Sequence, residues 1–315
     1  MYRRIFTATA VALAALASIN SQAADSVKLV VSVAPGGPAD RIARIVLPGL
    51  SAALGKPVIV DNRGGAGGTL AANAVAKSPP DGDTLLITTF SFVLSAGTMP
   101  SLPYNPRKDF EPIYLLGEVQ TMLVVRPSLG VNTLTELAAR ARDGKLNYGS
   151  TGVGGTMHLG AELFNKTANV SIAHIPYRGA APALMDMLAG NVDIVNADVP
   201  LLQPYIKDGR VKGLAIFDTK RSPLVPTVPT AAEAGMPELQ MTSWYGVLAP
   251  AGTPVATQQK LSRALDDVLR QPDVAKQLAD LGFNNAQNSA GFKARLDKDF
   301  DHWIPWLKKA NIKTE

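Results

Sequence analysis

Residues 27–68 read VKLVVSVAPGGPADRIARIVLPGLSAALGKPVIVDNRGGAGG, and this stretch decides the fold class. Val27 to Val33 is a run of apolar and β-branched residues with the look of a strand. The turn PGGPAD at 35–40 follows. Ile42, Ile45, Val46, Leu50 and Leu54 then recur with roughly helical spacing, and Gly55 is placed to stop that helix. Pro38 suits a first helical turn, and Asp40 complements the positive end of the helix dipole. Val58-Ile-Val60 reads as a second strand, RGGAGG at 63–68 as a second glycine-rich turn. An Ala-rich helix ending near Ser78 and a third strand at Thr84–Thr89 complete the unit. Strand–helix alternation on this scale predicts an α/β chain with a parallel sheet covered by helices.

The same organisation starts again at Leu146–Ser150 with a short strand. TGVGGT at 151–156 is its glycine-rich turn, and a helix runs from about Met157 to Thr167. A strand at Ala173–Pro176, a helix at about Ala181–Ala189 and a strand at Val192–Asn196 follow. Two βαβαβ units joined by crossing segments make two lobes with a cleft between them. The crossings are expected at Glu118–Arg126 and Ser243–Ala249. The first lobe is expected to comprise 24–124 and 243–315, and the second 125–242. The helical remainder from Thr253 onward is expected to pack back on the first lobe.

With 315 residues, the chain is long enough for two such lobes. Arg3 and Arg4, the apolar stretch Ala8–Ile19 and the small residues Ser21 and Ala23 read as a signal peptide, 1–23, cut after Ala23. The apolar run is short for a membrane span. The chain has no cysteine. That excludes a lipid anchor at the cleavage site, disulfides and thiolate chemistry, and predicts a protein free in the periplasm. The formal net charge of +5 falls to +3 once Arg3 and Arg4 are removed. With no dense Lys/Arg run and no interleaved aromatics, nucleic acid is not an expected partner.

The turns carry the chemistry. In open parallel sheets, ligands bind at the carboxyl ends of the strands. Helix starts behind PGGPAD and TGVGGT would present free backbone N–H groups to an anion. RGGAGG reads more readily as packing. No turn matches G-x-G-x-x-G or G-x-x-x-x-G-K-[ST], and no serine sits in G-x-S-x-G. Of the three histidines, His158 lies four residues before Glu162, a spacing a metal could use. Neither a third ligand nor H-E-x-x-H is evident. The expectation is no metal, no cofactor and no catalysis, with His158 a polar group near the cleft and His302 a surface residue beside Trp303.

Several segments resemble one family. They are SVAPGGPADRIARIV at 32–46, GKPVIVDNRGGAGGTLAANAVAKSPPDGDTLLI at 55–87 and LPYNPRKDFEPI at 102–113. NYGSTGVGGTMHLGAELF at 147–164, HIPYRGAAPALMDMLAGNVDI at 174–194 and RSPLVPTVPTAAEAGMPELQMTSWYGVLAPAGTP at 221–254 continue it. Together they resemble the Bug receptors, the periplasmic receptors of tripartite tricarboxylate transporters. The resemblance implies a type II periplasmic-binding fold with two βαβ lobes, a ligand cleft and crossing hinge strands. It implies a solute carboxylate held by loop main chain, small hydroxyls and bridging waters, and handed to membrane transporter subunits or a sensor kinase. The receptor is expected to act as a monomer. Carried over, the first-lobe loop is Ala34, Pro35, Gly36 and Gly37. The second-lobe loop is Ser150, Thr151, Gly152, Gly154, Gly155 and Thr156, with His158 and Tyr177 in matching segments.

Phe90, Ser91 and Phe92 after the third strand, and Asn196–Val199, are expected to decide which solute fits. Phe90, Phe92, Trp244 and Tyr245 would supply aromatic walls, pointing to an aromatic or aliphatic mono- or dicarboxylate, with an aromatic body favoured over an aliphatic one. If Asp198 pointed into the cleft it would receive an ammonium group, and the protein would be an amino-acid receptor. A periplasmic enzyme acting on a small organic acid is the alternative from another class.

Overall fold

The computed structural model describes residues 26–312. The predicted signal peptide lies outside the described residues. The chain opens with strand β1 (Val27–Val31), helix α1 (Pro38–Leu54), strand β2 (Val58–Asn62), helix α2 (Thr69–Ala76) and strand β3 (Thr84–Thr89). Helix α3 (Ser91–Thr98) begins one residue after β3, with Phe90 between them. Strand β4 (Phe110–Val125) is 16 residues long. Helix α4 (Leu134–Asp143) leads to β5 (Asn147–Ser150), α5 (Thr156–Ala168), β6 (Ala173–Pro176) and α6 (Ala180–Leu188). Then come β7 (Ile194–Asp198), α7 (Val199–Lys207), β8 (Lys212–Ile216) and β9 (Thr242–Pro250). Helices α8 (Val255–Leu269) and α9 (Pro272–Asp280), the short strand β10 (Gln287–Asn288) and α10 (Ser289–Lys309) finish the chain.

The strand order is β2-β1-β3-β9-β4-β7-β5-β6, with β8 and β10 also pairing with β4. β4 is the crossing. From Phe110 to Gln120 it pairs with β9, and from Thr121 onward with β7 and β8. This change of partners falls within the span expected for the first crossing. The second crossing lies just before the span expected at Ser243–Ala249, within a residue of the 242/243 lobe boundary. β9 sits wholly in the first sheet, and the chain passes between sheets at Met241–Thr242. There Met241 N–H donates to the Phe217 carbonyl while Thr242 pairs with Gln120. The apolar run at 243–249 is a buried first-lobe strand, flanked by β3 and β4, and that burial is what made it look like a crossing.

Each lobe is wound on both faces. In the first, α1 buries Ile42, Val46 and Leu50 on one face with Leu29 and Leu85. α2 buries Ala71, Ala72 and Val75 on the other, with Val30 and Leu86. In the second, α5 buries Leu159, Leu163 and Phe164 on the face of Tyr148 and Ile194. α6 buries Ala183, Leu184 and Met187 on the face of Val195. One core cluster therefore runs from the first lobe into the second along a single face of the joined sheet. α8 packs on α1, and α10 packs on α3, so the C-terminal helices cover the first lobe.

Candidate functional site

The topology fixes where a ligand crevice forms. In the first lobe β1 leads through α1 to β2, and the chain returns through α2 to β3 on the far side of β1. In the second, β5 leads through α5 to β6, and returns through α6 to β7 on the far side of β5. Connections leave in opposite directions at the carboxyl ends of β1/β3 and of β5/β7, and such reversal points open crevices. The two crevices converge on the crossing strand. Thr89, the last residue of β3, pairs with Tyr245, which pairs with Gly117. Asp198, the last residue of β7, pairs with Thr121.

The second-lobe turn leaves backbone donors open to an anion. Helix α5 has no side-chain cap and no acid in its first turn. The N–H groups of Thr156, Met157 and His158 have no acceptor within the helix, and the dipole adds positive potential there. Ser150 shapes the turn. Its Oγ accepts the Gly152 N–H at 3.0 Å and lies 2.6 Å from His174 Nε2. Ser150 is fully buried, so its hydroxyl organises the loop from behind. Thr151 is exposed, Gly152 and Thr156 are half-buried, and Gly154 and Gly155 are buried. A Cβ on Gly154 would stand 2.6 Å from Thr98 Oγ1 of α3, so the rims of the two lobes touch here.

The first-lobe loop offers fewer open donors. Ala34, Pro35 and Gly36 are exposed and Gly37 is half-buried. Asp40 turns back on the loop. Its carboxylate accepts the Gly36 N–H at 2.9 Å, a closure that uses the left-handed Gly36 (φ 87°), and also binds Arg44. Burial pushes the Asp40 pKa up, but Arg44 and the Gly36 N–H outweigh it and hold it below the usual range. Pro38 has no N–H to offer. The RGGAGG turn packs against this loop: a Cβ on Gly64 would lie 2.8 Å from the Ala34 nitrogen.

The expected aromatic walls are not there. α3 starts at Ser91, so Phe90 and Phe92 turn into the first-lobe core instead of a loop. Phe90 packs on Trp244 and Trp303, and Phe92 on Tyr104, Phe110 and Phe300. Trp244 is fully buried and donates to Asp299, and Tyr245 packs on Phe283. Phe90 is thus corrected from a ligand wall to a core residue. Ser91 is buried, its Oγ 2.8 Å from Thr89 Oγ1. Tyr177 donates its hydroxyl to Asp186 of α6. Asp198 accepts the Tyr245 hydroxyl, which ties the end of β7 to β9 beside the crossing. Burial pushes its pKa up to about 6 against that hydrogen bond.

Beneath α5 lies a polar layer of which sequence reading saw only part. His158 is buried under the helix, its ring 4.6 Å from His174 and 6.1 Å from Tyr148. Burial, and then His174, push its pKa down to about 4, so both rings are packed without the His158 charge at neutral pH. Tyr148 stacks on His174 and donates to Glu162, which also accepts from Asn165. His302 is exposed against Trp303. Among the described residues no group of three or more His, Asp or Glu is placed to hold a metal.

Arg295 of α10 staples both crossing segments. It pairs with Glu118 of β4 and Asp299, and donates to the Thr242 carbonyl of β9. No motif announced it, because its partners on the crossing segments, Thr242 and Glu118, are 53 and 177 residues away. A groove of about 720 Å³ opens beside it, and none of the sequence-predicted site residues lines it.

Two doubly wound lobes, a crossing strand and facing crevices define a type II periplasmic-binding fold. Residues 42–311 match the model of the tripartite tricarboxylate transporter family receptor, and the chain belongs to that family. BugT of Bordetella pertussis is 37% identical over 282 residues, 88% of this chain and 86% of that protein. Among solved structures, MatC from Rhodopseudomonas palustris with bound malate has a TM-score of 0.83 and 34% identity, covering 90% of this chain and 98% of its own. The R. palustris protein Rpa4515 with adipate has a TM-score of 0.85 and 32% identity, covering 92% and 98%.

Proposed function

We propose that this chain is a periplasmic solute receptor that captures a small aliphatic carboxylate between its lobes and releases it unchanged to membrane transporter subunits or a sensor kinase. The observation that carries this reading is the uncapped start of α5, free of acidic side chains, at the mouth of the second-lobe crevice. The relatives with malate and adipate support the ligand class. The lobes separate at Gln120–Thr121 and Met241–Thr242, and the receptor is a monomer exported by cleavage near Ala23. Its ligand contacts are the main chain of Ala34–Gly37 and of Thr151–Thr156, with the Thr151 and Thr156 hydroxyls. With Phe90, Phe92, Trp244 and Tyr245 in the cores, nothing favours an aromatic body over an aliphatic one. Asp198 is occupied by Tyr245, which argues against an ammonium partner.

A thermal-shift screen of di- and tricarboxylates, aromatic acids and amino acids tests the reading. At least one aliphatic dicarboxylate should raise the melting temperature, by about 2.7 kcal/mol of stabilisation at a hundred times its Kd. NMR of the recovered solute should show it chemically intact. Stabilisation by amino acids alone, or conversion of the solute, would overturn it.

A further inference from the structure

The TGVGGT turn holds three glycines, and a glycine-rich backbone loses much conformational freedom when it is ordered, so it needs something to pin it. The pin comes from behind. Ser150 Oγ accepts the Gly152 N–H at 3.0 Å. The Gly152 carbonyl in turn accepts the Gly155 N–H at 3.2 Å, and Gly155 is the residue from which α5 starts. Two hydrogen bonds thus connect the Ser150 hydroxyl to the open donors of α5.

The hydroxyl has one proton of its own, and its destination decides how the pin is oriented. Two acceptors lie within reach. His174 Nε2 of β6 is at 2.6 Å, while the Gly152 carbonyl is at 3.4 Å and already holds the Gly155 N–H. The nearer acceptor takes the proton. Ser150 then accepts from Gly152 and donates to His174, so Nε2 must be bare and the ring proton must sit on Nδ1. The parallel register pairs Tyr148 with His174 and Ser150 with Pro176, which sets Tyr148, Ser150 and His174 on one face of the sheet. There the half-buried His174 ring stacks on Tyr148 of β5, with centroids 4.9 Å apart, and meets His158 of α5 at 4.6 Å. Burial pushes the His174 pKa down against the pull of Glu162, and a neutral ring is what the Ser150 bond requires.

We infer that His174 is a positioning residue for carboxylate capture: as a neutral acceptor it orients the Ser150 hydroxyl, and through Gly152 it holds the start of α5 in the shape that receives the anion. This rests on the carboxylate-receptor reading above. Neither His174 nor Ser150 touches the solute. Both act from behind the turn, where the burial of Ser150 puts its hydroxyl. A purely structural account would make His174 a ring that stacks on Tyr148. One pair of substitutions separates the two accounts. Phenylalanine keeps a ring and loses the acceptor. Glutamine loses the ring and keeps an acceptor at the reach of Nε2.

Long-range proton–nitrogen NMR of the purified protein at neutral pH reads the ring proton directly, and His174→Gln assigns the signal among the chain's three histidines. His174 should show a protonated Nδ1 and a bare Nε2. A proton on Nε2 would overturn the inference, whether or not any variant folds. Calorimetric titration with malate, succinate and adipate follows, using whichever binds wild type most tightly. His174→Phe, checked for native circular dichroism, should weaken binding about fivefold or more, the worth of one hydrogen bond, while His174→Gln should stay within about twofold of wild type. Combining Ser150→Ala with His174→Phe should cost no more than about twofold beyond Ser150→Ala alone, because His174 acts through that hydroxyl. Full affinity in a folded His174→Phe, a His174→Gln weaker than His174→Phe, or losses that multiply in the double variant would overturn the inference and leave the receptor reading standing. If none of the three dicarboxylates binds wild type, both fall.

Discussion

Asp198 ends β7 with its carboxylate under the Tyr245 hydroxyl, and its protonation is a stability term. Its pKa is about 6 in the fold against an ordinary 3.8, with burial the main cause. The folded state therefore holds the proton to higher pH than the unfolded chain. Stability from this group is intact below pH 3.8 and falls as pH rises to about 6. The penalty above that window is up to about 3 kcal/mol, at 1.36 kcal/mol for each pKa unit. Asn cannot ionise and still accepts the Tyr245 proton through Oδ1. Asp198→Asn should thus stabilise the protein by about 1–3 kcal/mol at pH 7.5, and the gain should vanish near pH 4. Urea denaturation at both pH values checks this, and a gain that is the same at both would refute the assignment. Sequence reading raised Asp198 and left its direction open, since no local pattern tells a residue at 198 that its partner is at 245.

The glycine-rich turns behave as elements and were the most legible part of the crevices. PGGPAD and TGVGGT each end a strand and start a helix, so their place at the crevices followed from the strand–helix order alone. Their inequality did not. Asp40 folds back on the first turn, while α5 starts without an acid. β7 was expected two residues early because Val192, in the turn before it, is fully buried in the second-lobe core and mimics a strand residue. The loop expected at Phe90–Phe92 is absent because a single residue separates β3 from α3, and aromatic residues after a strand look alike whether they face a cleft or a core. Gly154 offers a test at this scale. Valine there would meet Thr98 Oγ1 and would have to adopt φ 79°. Gly154→Val should weaken binding of the best carboxylate by about 2 kcal/mol or more, roughly thirtyfold. Unchanged affinity in a folded variant would show that the rims need not meet.

Over the whole molecule, the α/β class, the two βαβαβ units and the first crossing were readable from 42 residues and one repetition of their pattern. The staple at Arg295 was not, since it depends on which distant strands lie side by side. The apolar cluster that follows one face of the joined sheet has a thermodynamic consequence. It unites Val30 and Leu86 of the first lobe with Tyr148, Leu159 and Phe164 of the second, through Leu123 and Trp244. Neither lobe can melt without exposing apolar surface on the other. Differential scanning calorimetry should therefore record one heat-absorption peak, with van't Hoff and calorimetric enthalpies equal. Two resolved peaks would mean that the lobes unfold as independent bodies. A single peak means that a substitution deep in either lobe lowers the melting point of both, and that a solute held between them shields the entire chain from heat.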